Sequence, residues 1–207
     1  GSLMLISPSM ANDALMPPAW VEGGELRYPL GTDDQGRDVL STLLYGSRIS
    51  LLVGVSSVLL AMVLGVSLGL LSGYLGGRLD AFIMRVADVQ LSFPAILIAL
   101  LIAGVARTLI SAGSHADWMT IAVLIGSISL ANWVQYARTV RGSTLIERNK
   151  EYVQAARVIG VRPVRIMLRH VLPNSLGPVL VIATINIAQA IITEATLSFL
   201  GVGVPPT

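Results

Sequence analysis

Side chains that commonly serve as catalytic groups or metal ligands are scarce in this sequence, which has two histidines, one lysine and no cysteine. Cysteine is absent, which excludes disulfides and thiolate metal sites. The single lysine, Lys150, lies outside any glycine-rich loop of the kind that holds nucleotide phosphates. Asp33, Asp34 and Asp38 cluster, but without the spacing or the terminal glutamate of a calcium loop. We therefore expect no catalytic residue, no metal site and no cofactor bound by this chain.

One carboxylate lies where charge is costly. Glu194 falls inside a long apolar run, with Gln189 and Asn186 before it on the same predicted helix. A carboxylate in such a segment requires a polar partner or a water-filled path. The three residues therefore either line a pathway for a polar solute or form a structural hydrogen-bond network, and the sequence leaves both possibilities open.

The composition indicates a membrane protein. Of the 207 residues, 54% are hydrophobic and 13% are charged, and the mean hydropathy is +0.74. Crossing a bilayer takes about 20 apolar residues, and four stretches are long enough. Four such runs are not typical of a soluble protein of this size. We predict an all-α, polytopic transmembrane helix bundle in which an external segment, 1–48, precedes a membrane domain, 49–207, with spans at about 49–75, 81–106, 118–138 and 174–200.

Basic residues orient these spans, because arginine and lysine concentrate in cytoplasmic loops. Eight of the 14 basic residues lie between 138 and 169, so we expect the loop 139–173 to be cytoplasmic. The N-terminal segment is mainly acidic and is expected outside. His115 and His170 then lie on opposite sides of the membrane, which argues against a membrane-embedded enzyme built on a histidine pair. The eight basic residues are Arg138, Arg141, Arg148, Lys150, Arg157, Arg162, Arg165 and Arg169.

A stripe of small residues, spaced four apart, runs along the first span. Such a stripe lets another helix backbone approach closely. The partner is either a helix of the same subunit or a second subunit, and the sequence does not choose. The stripe consists of Ser57, Ala61, Gly65, Gly69, Gly73 and Gly77.

Three local signals refine the helices. Pro94 is expected to kink the second span or mark its start. Arg85 and Asp88 lie three apart and are expected to pair on one helix face. The segment 32–35 fits a capping box with Thr32 as N-cap and Gln35 at the third helical position, which predicts an external helix from there into the first span.

The cytoplasmic loop contains two amphipathic patterns. Residues 151–160 read as a short helix ended by Gly160, with one apolar stripe made of Tyr152, Ala155, Ala156 and Ile159. A second helix begins near Pro163 and carries arginines toward lipid phosphates, and Pro173 is expected to end it. From these patterns alone, the two helices either dock a partner or simply lie on the membrane.

This loop resembles the cytoplasmic signature of the permease subunits of ATP-binding-cassette (ABC) importers. That signature reads Glu-Ala-Ala, three residues, Gly, nine residues, Ile, one residue, Leu-Pro. The same gaps separate Gln154-Ala155-Ala156, Gly160, His170 and Leu172-Pro173 here. Gln154 replaces the signature glutamate, and His170 replaces the isoleucine.

Further stretches resemble the second permease of the importers for dipeptides, oligopeptides, nickel or glutathione, and the solute among these stays open. Such subunits typically have six spans. We therefore expect this sequence to be a fragment that lacks the first span, or most of it, and the last. The stretches are 29–38, 136–142, 151–152, 169–174 and 194–203.

The resemblance implies a type I ABC importer permease fold in the bacterial inner membrane, with a cytoplasmic coupling helix at 151–160. It implies a heterodimer with another permease, two ATP-binding subunits that hold ATP and Mg²⁺, and an external solute-binding protein; no nucleic acid is expected. A non-transporting membrane scaffold remains the alternative. The residues implied to contact the ATPase are Glu151, Tyr152, Gln154, Ala155, Ala156 and Gly160, with Leu172 and Pro173 at the loop end.

Overall fold

The computed structural model describes residues 14–109 and 117–201, and this part of the chain is almost entirely helical. It contains no strand, only an isolated bridge between Thr32 and Asp38. A π-helical segment, Met167–Val171, lies between the last two α-helices. In chain order the helices are α1 (Val39–Leu75), α2 (Gly77–Leu91), α3 (Ala95–Leu109), α4 (Asp117–Glu147), α5 (Glu151–Val158), α6 (Pro163–Ile166) and α7 (Leu172–Phe199).

The chain divides into two compact units, Gly1–Leu51 and Leu52–Thr207. In the first unit, the expected capping box at Thr32 is wrong. Residues 33–37 form a tight turn in which the Asp33 carboxylate accepts hydrogen bonds from the backbone amides of Gln35 and Arg37, at 2.9 and 2.8 Å. Those bonds compete with helix formation.

Helix α1 begins at Val39, six residues after the start that the capping box predicted, and Asp38 is its N-cap. The Asp38 carboxylate accepts from the backbone amides of Leu40 and Ser41, at 3.2 and 3.1 Å. Aspartate is among the best N-cap residues, and its charge suits the positive end of a helix. The acidic cluster is thus partly explained by local structure, because Asp33 and Asp38 each bind backbone amides.

In the second unit, α1 lies directly against α4 along the small-residue stripe. A Cβ atom added at Gly65 would lie 2.4 Å from the carbonyl oxygen of Trp133, and one at Gly69 would lie 2.4 Å from that of Ala137. The stripe therefore packs within the subunit from Ser57 to Gly73. Close contact of this kind holds helices together in lipid, where apolar burial gives little net drive.

Helix α4 is the centre of the second unit. Its Trp133, Val134 and Ala137 pack on Ile83 and Ala87 of α2. The other side of α4 contacts α3 and α7. Helix α4 therefore connects α2, α3 and α7 within this unit.

Among the described residues, three helices are long and apolar enough to cross a membrane: Val39–Leu75, Trp118–Glu147 and Pro163–Phe199. The second predicted span, 81–106, is not one straight helix. Helices α2 and α3 meet at an angle of 96° across a break that contains Pro94, so the pair is either a broken span or a re-entrant segment. Proline at the start of α3 accounts for the break, because it disfavours helical conformation in the residue before it.

The last span differs from expectation at Pro173. Helical structure runs without interruption from Pro163 to Phe199, and Pro173 lies in the first turn of α7. The π-helical segment immediately before it has a wider turn than an α-helix. That turn accommodates a proline ring which would otherwise crowd the carbonyl group four residues earlier.

Candidate functional site

Helix α5 is the element that the sequence singled out, and its end is closed as expected. Gly160 has a φ of +83°, which a residue with a side chain adopts only with strain. Its amide binds the carbonyl of Arg157, and the amide of Val161 binds that of Ala156, both at 3.0 Å. This pair of bonds is a Schellman motif, and it stops α5 after two turns.

The faces of α5 differ from the predicted stripe. Val153 and Ala156 are buried within the subunit, whereas Ala155 is exposed. Val158 and Ile159 are 88% and 79% exposed. The single stripe inferred from spacing is therefore wrong: α5 has an inner apolar side and a separate outer one. We call Ala155, Val158 and Ile159 the outer face of α5.

Polar contacts connect the end of α4 and helix α5 to α1. At the end of α4, the Arg148 guanidinium donates to the carbonyl of Gly73, at 2.8 Å. The guanidinium of Arg157 on α5 lies over the ring of Tyr74, 5.1 Å from its centroid. Both contacts use the last turn of α1. A carbonyl group at the negative end of the helix attracts the Arg148 guanidinium, and the face of the Tyr74 ring attracts that of Arg157.

The remaining residues implied by the signature have different surroundings. Glu151 and Gln154 are exposed, and the Gln154 amide donates to the carbonyl of Asn149 at 3.1 Å. Leu172 is half-buried and Pro173 is exposed at the start of α7. Gly160 has open space around its Cα, so its positive φ is the constraint on it within this subunit.

Tyr152 is 39% exposed, and its hydroxyl contacts neighbouring elements of the subunit. Its hydroxyl donates to the Glu147 carboxylate, and the side-chain amide of Asn174 donates to it at 3.0 Å. Partial burial, together with the hydrogen bond to Glu147, raises the pKa of the Tyr152 phenol above its usual value. The phenol therefore stays protonated as a donor at physiological pH.

Asn186 and Glu194 lie on the buried side of α7, and Gln189 lies on an exposed side. The Asn186 amide donates to the Tyr136 hydroxyl of α4, at 3.0 Å. The Glu194 carboxylate accepts from Ser198, at 2.8 Å. The structure therefore separates Gln189 from Asn186 and Glu194, and it gives the latter two structural partners; a pathway role for the three stays a prediction.

A pair of ion pairs between α2 and α4 was missed by the sequence reasoning. Arg141 donates two hydrogen bonds to Asp80, at 2.5 and 2.7 Å. Arg138 pairs with Asp88, so the expected pairing of Asp88 with Arg85 is wrong. The signal was the recurrence of arginines at i and i+3 near the end of α4, opposite a helix with two aspartates.

Comparison with known proteins adds to this geometry. Residues 65–207 match the family described as binding-protein-dependent transport system inner membrane component. The chain is 42% identical over 194 residues to the dipeptide transport system permease protein of Haemophilus influenzae, an alignment covering 93% of this chain and 62% of that protein. It is 41% identical over 185 residues to the glutathione transport system permease protein of Pectobacterium atrosepticum, covering 89% and 58%.

A third relative, the oligopeptide transport system permease protein of Bacillus subtilis, is 38% identical over 175 residues, covering 84% of this chain and 54% of that protein. The chain thus spans between about half and two thirds of the length of the relatives it matches. Its apolar helices and the family match together make it a multi-pass membrane protein. The chain belongs to the family of inner membrane components of binding-protein-dependent transport systems.

Proposed function

We propose that this chain contributes half of the solute pathway of an ABC importer, and that it couples this pathway to separate ATPase subunits through α5. The permease itself performs no covalent chemistry. ATP and Mg²⁺ bind to the ATPase subunits, a second permease supplies the other half of the pathway, and an external solute-binding protein delivers the solute.

The outer face of α5 is the observation that carries this proposal. Three neighbouring apolar positions, Ala155, Val158 and Ile159, are exposed on the positively charged side of the molecule. Exposed apolar side chains outside the membrane typically mark a protein contact. A small residue in that face lets a groove on another protein approach closely, and recognition of a short helix by a groove is a common mode of binding.

The attachments of α5 explain how docking would drive transport. Val153 and Ala156 are buried in the subunit, and Arg157 rests on the end of α1. A partner that pushes on the outer face therefore moves α5 together with the helices beneath it. Closure of two ATPase subunits would in this way change which side of the membrane the pathway opens to.

A peptide-like solute fits the relatives best, since their names include dipeptide, oligopeptide and glutathione transport systems. Glutathione is itself a small peptide, so these names describe one chemical class. Transport of radiolabelled alanyl-alanine and of glutathione by the complete complex, each competed by the other, would distinguish the two.

Crosslinking from position 155 tests the docking partner. The chain has no cysteine of its own, so Ala155→Cys introduces a unique thiol for a photoactivatable probe. We expect the probe to capture an ATP-binding subunit in the native membrane, identified by mass spectrometry. The matched control is Trp118→Cys, an exposed position at the other end of α4, which should not capture it. Capture of a different protein from position 155, or of none, would contradict the proposal.

Uptake separates a transporter from a membrane scaffold. Ala155→Trp fills the outer face with a bulky ring but leaves the buried side of α5 intact. We expect it to lower alanyl-alanine uptake at least tenfold and to weaken retention of the ATP-binding subunit, while Ala155→Ser, which keeps the residue small, changes neither. Unchanged uptake in the tryptophan variant would favour the scaffold.

A further inference from the structure

One side chain of α5 contacts three other elements of the subunit. The Tyr152 hydroxyl lies among Glu147 at the end of α4, His170 in the π-helical segment and Asn174 in α7. It also lies on the helix that carries the outer face. Within the described residues, no other side chain of α5 hydrogen-bonds to more than one of these elements.

The direction of each hydrogen bond can be assigned by counting hydrogens. A phenol has one hydrogen to give, and Glu147 takes it, since the His170 carbonyl is 3.4 Å away. The Asn174 amide has two hydrogens. One goes to the Tyr152 oxygen at 3.0 Å and the other to the His170 carbonyl at 2.9 Å. Tyr152 thus both donates to α4 and accepts from α7.

The ring of Tyr152 makes a further contact. It stacks on the imidazole of His170, with the ring centroids 6.3 Å apart and the planes 25° from parallel. The Nδ1 atom of His170 is buried and has no hydrogen-bond partner among the described residues. Among the described residues, His170 thus contacts the Tyr152 ring but is not hydrogen-bonded through its Nδ1 atom.

The backbone under this contact is the irregular part of the last span. Residues 167–171 form π-type rather than α-type hydrogen bonds, and Pro173, which cannot donate one, lies two residues after this segment. Short π-helical stretches cost stability and bend more readily than α-helix. A sideways pull on His170 or Asn174 therefore acts within or next to this irregular stretch, at the start of α7.

We propose that Tyr152 is the positioning residue through which displacement of α5 reaches α4 and α7, with the π-helical segment as the joint at which α7 yields. This inference rests on the proposed function, since it concerns how docking at α5 is passed on. It gives Tyr152 a role in contacts within the subunit, distinct from the ATPase contact that the family signature implies for it. The outer face receives the partner, and Tyr152 transmits the movement.

The test measures the number of solute molecules moved per ATP hydrolysed. The complete complex is reconstituted in lipid vesicles, and uptake of alanyl-alanine and ATP hydrolysis are followed together. Tyr152→Phe keeps the ring and removes the hydroxyl, and with it the bonds to Glu147 and Asn174. We expect the variant to retain its ATP-binding subunits and to hydrolyse ATP within about twofold of wild type, while uptake per ATP falls about tenfold, the factor that matches loss of a hydrogen bond to a charged group.

The matched control is Tyr74→Phe. Tyr74 lies nearby and supports Arg157 with its ring, but its hydroxyl has no hydrogen bond among the described residues. Its uptake per ATP should equal that of wild type. Glu147→Gln is a second variant, which keeps the side-chain size and weakens the acceptor; it should lower uptake per ATP in the same direction, by a smaller factor.

The possible results distinguish a failure of this inference from a failure of the proposed function. Unchanged uptake per ATP in Tyr152→Phe would overturn this inference and leave the proposed function standing. A parallel loss of subunit retention, hydrolysis and uptake would also overturn it, since the residue would then be merely structural. A wild-type complex that contains no ATP-binding subunit would overturn the proposed function and this inference together.

Discussion

The contact between α1 and α4 gives the sharpest test of the packing. At Gly69, an added Cβ would lie 2.4 Å from the Ala137 carbonyl oxygen and 3.0 Å from both the Ala137 Cα and its carbonyl carbon. Carbon–oxygen contacts between helices are typically no shorter than about 3.3 Å. The substitution Gly69→Ala therefore lacks about 0.9 Å of space, by comparison with that distance.

The missing space can come only from movement of the helices. All three atoms nearest to the new methyl group belong to backbone, so no flexible side chain can yield. Separating two packed helices by nearly 1 Å forfeits between a quarter and a half of the dispersion energy of the contact atoms. Overpacking of this kind costs about 1–3 kcal/mol, and at about 2–4 °C per kcal/mol for a chain of this size, 2 kcal/mol lowers the melting temperature by about 4–8 °C.

The assay is thermal unfolding of the purified protein in lipid nanodiscs. Gly126→Ala is the matched control, because Gly126 lies on α4 with open space around it, and alanine favours helix there. It should leave the apparent melting temperature unchanged or slightly higher. Adding Gly65→Ala to Gly69→Ala should cost less than the sum of the single changes, since helices already separated accept the second methyl group. A Gly69→Ala protein at least as stable as wild type would refute the close contact.

Three further predictions concern local structure. Asp38→Ala removes the cap of α1 and should cost about 1 kcal/mol, seen as faster amide exchange in the first turn, while Asp34→Ala should not change it. The hydrogen bond from the backbone amide of Arg37 is the main reason that the pKa of Asp33 lies below its ordinary value of 3.8. The 33–37 turn should therefore be protected from amide exchange above pH 3.8 and lose this protection as the pH falls further. The Asp33→Asn protein should lack the protection at every pH. Arg141→Leu should lower stability by about 2 kcal/mol, and adding Asp80→Asn should cost little more.

Each of these has an outcome that would count against it. Equal exchange in the Asp38→Ala and Asp34→Ala proteins would show that the cap contributes nothing. Protection of the 33–37 turn that is constant from pH 3 to pH 6 would remove the role given to the Asp33 carboxylate. Fully additive effects of the Arg141 and Asp80 substitutions would mean that the two side chains do not interact.

Much of the local structure around α5 could be predicted from the sequence because its signals are local. Gly160, nine residues after Glu151 and four after Ala156, predicts where α5 ends, since only glycine readily adopts its φ of +83°. Pro94 predicts a helix break for a similar reason, because it constrains its own backbone and that of its neighbour. The excess of arginines in one loop depends only on their number and position.

The local signals failed where two reasonable local structures competed. The segment at Thr32 satisfies the pattern of a capping box, yet Asp33 binds the amides of Gln35 and Arg37 instead. Asp38 is an equally good cap, and α1 begins directly after it. The choice between these two starts depends on the stability of the turn, which a pattern of capping residues does not measure.

The sequence by itself determined that this is a membrane protein, where α5 begins and ends, and which family it belongs to. Composition, charge and the spacing of turn residues are properties of short segments, so they can be read without a fold. Only the tertiary structure decided that Val153 is inside and Val158 outside, that Asp88 pairs with Arg138, and that the glycine stripe meets α4. These are contacts between distant segments, and periodicity along one helix does not say which of its sides a neighbour will cover.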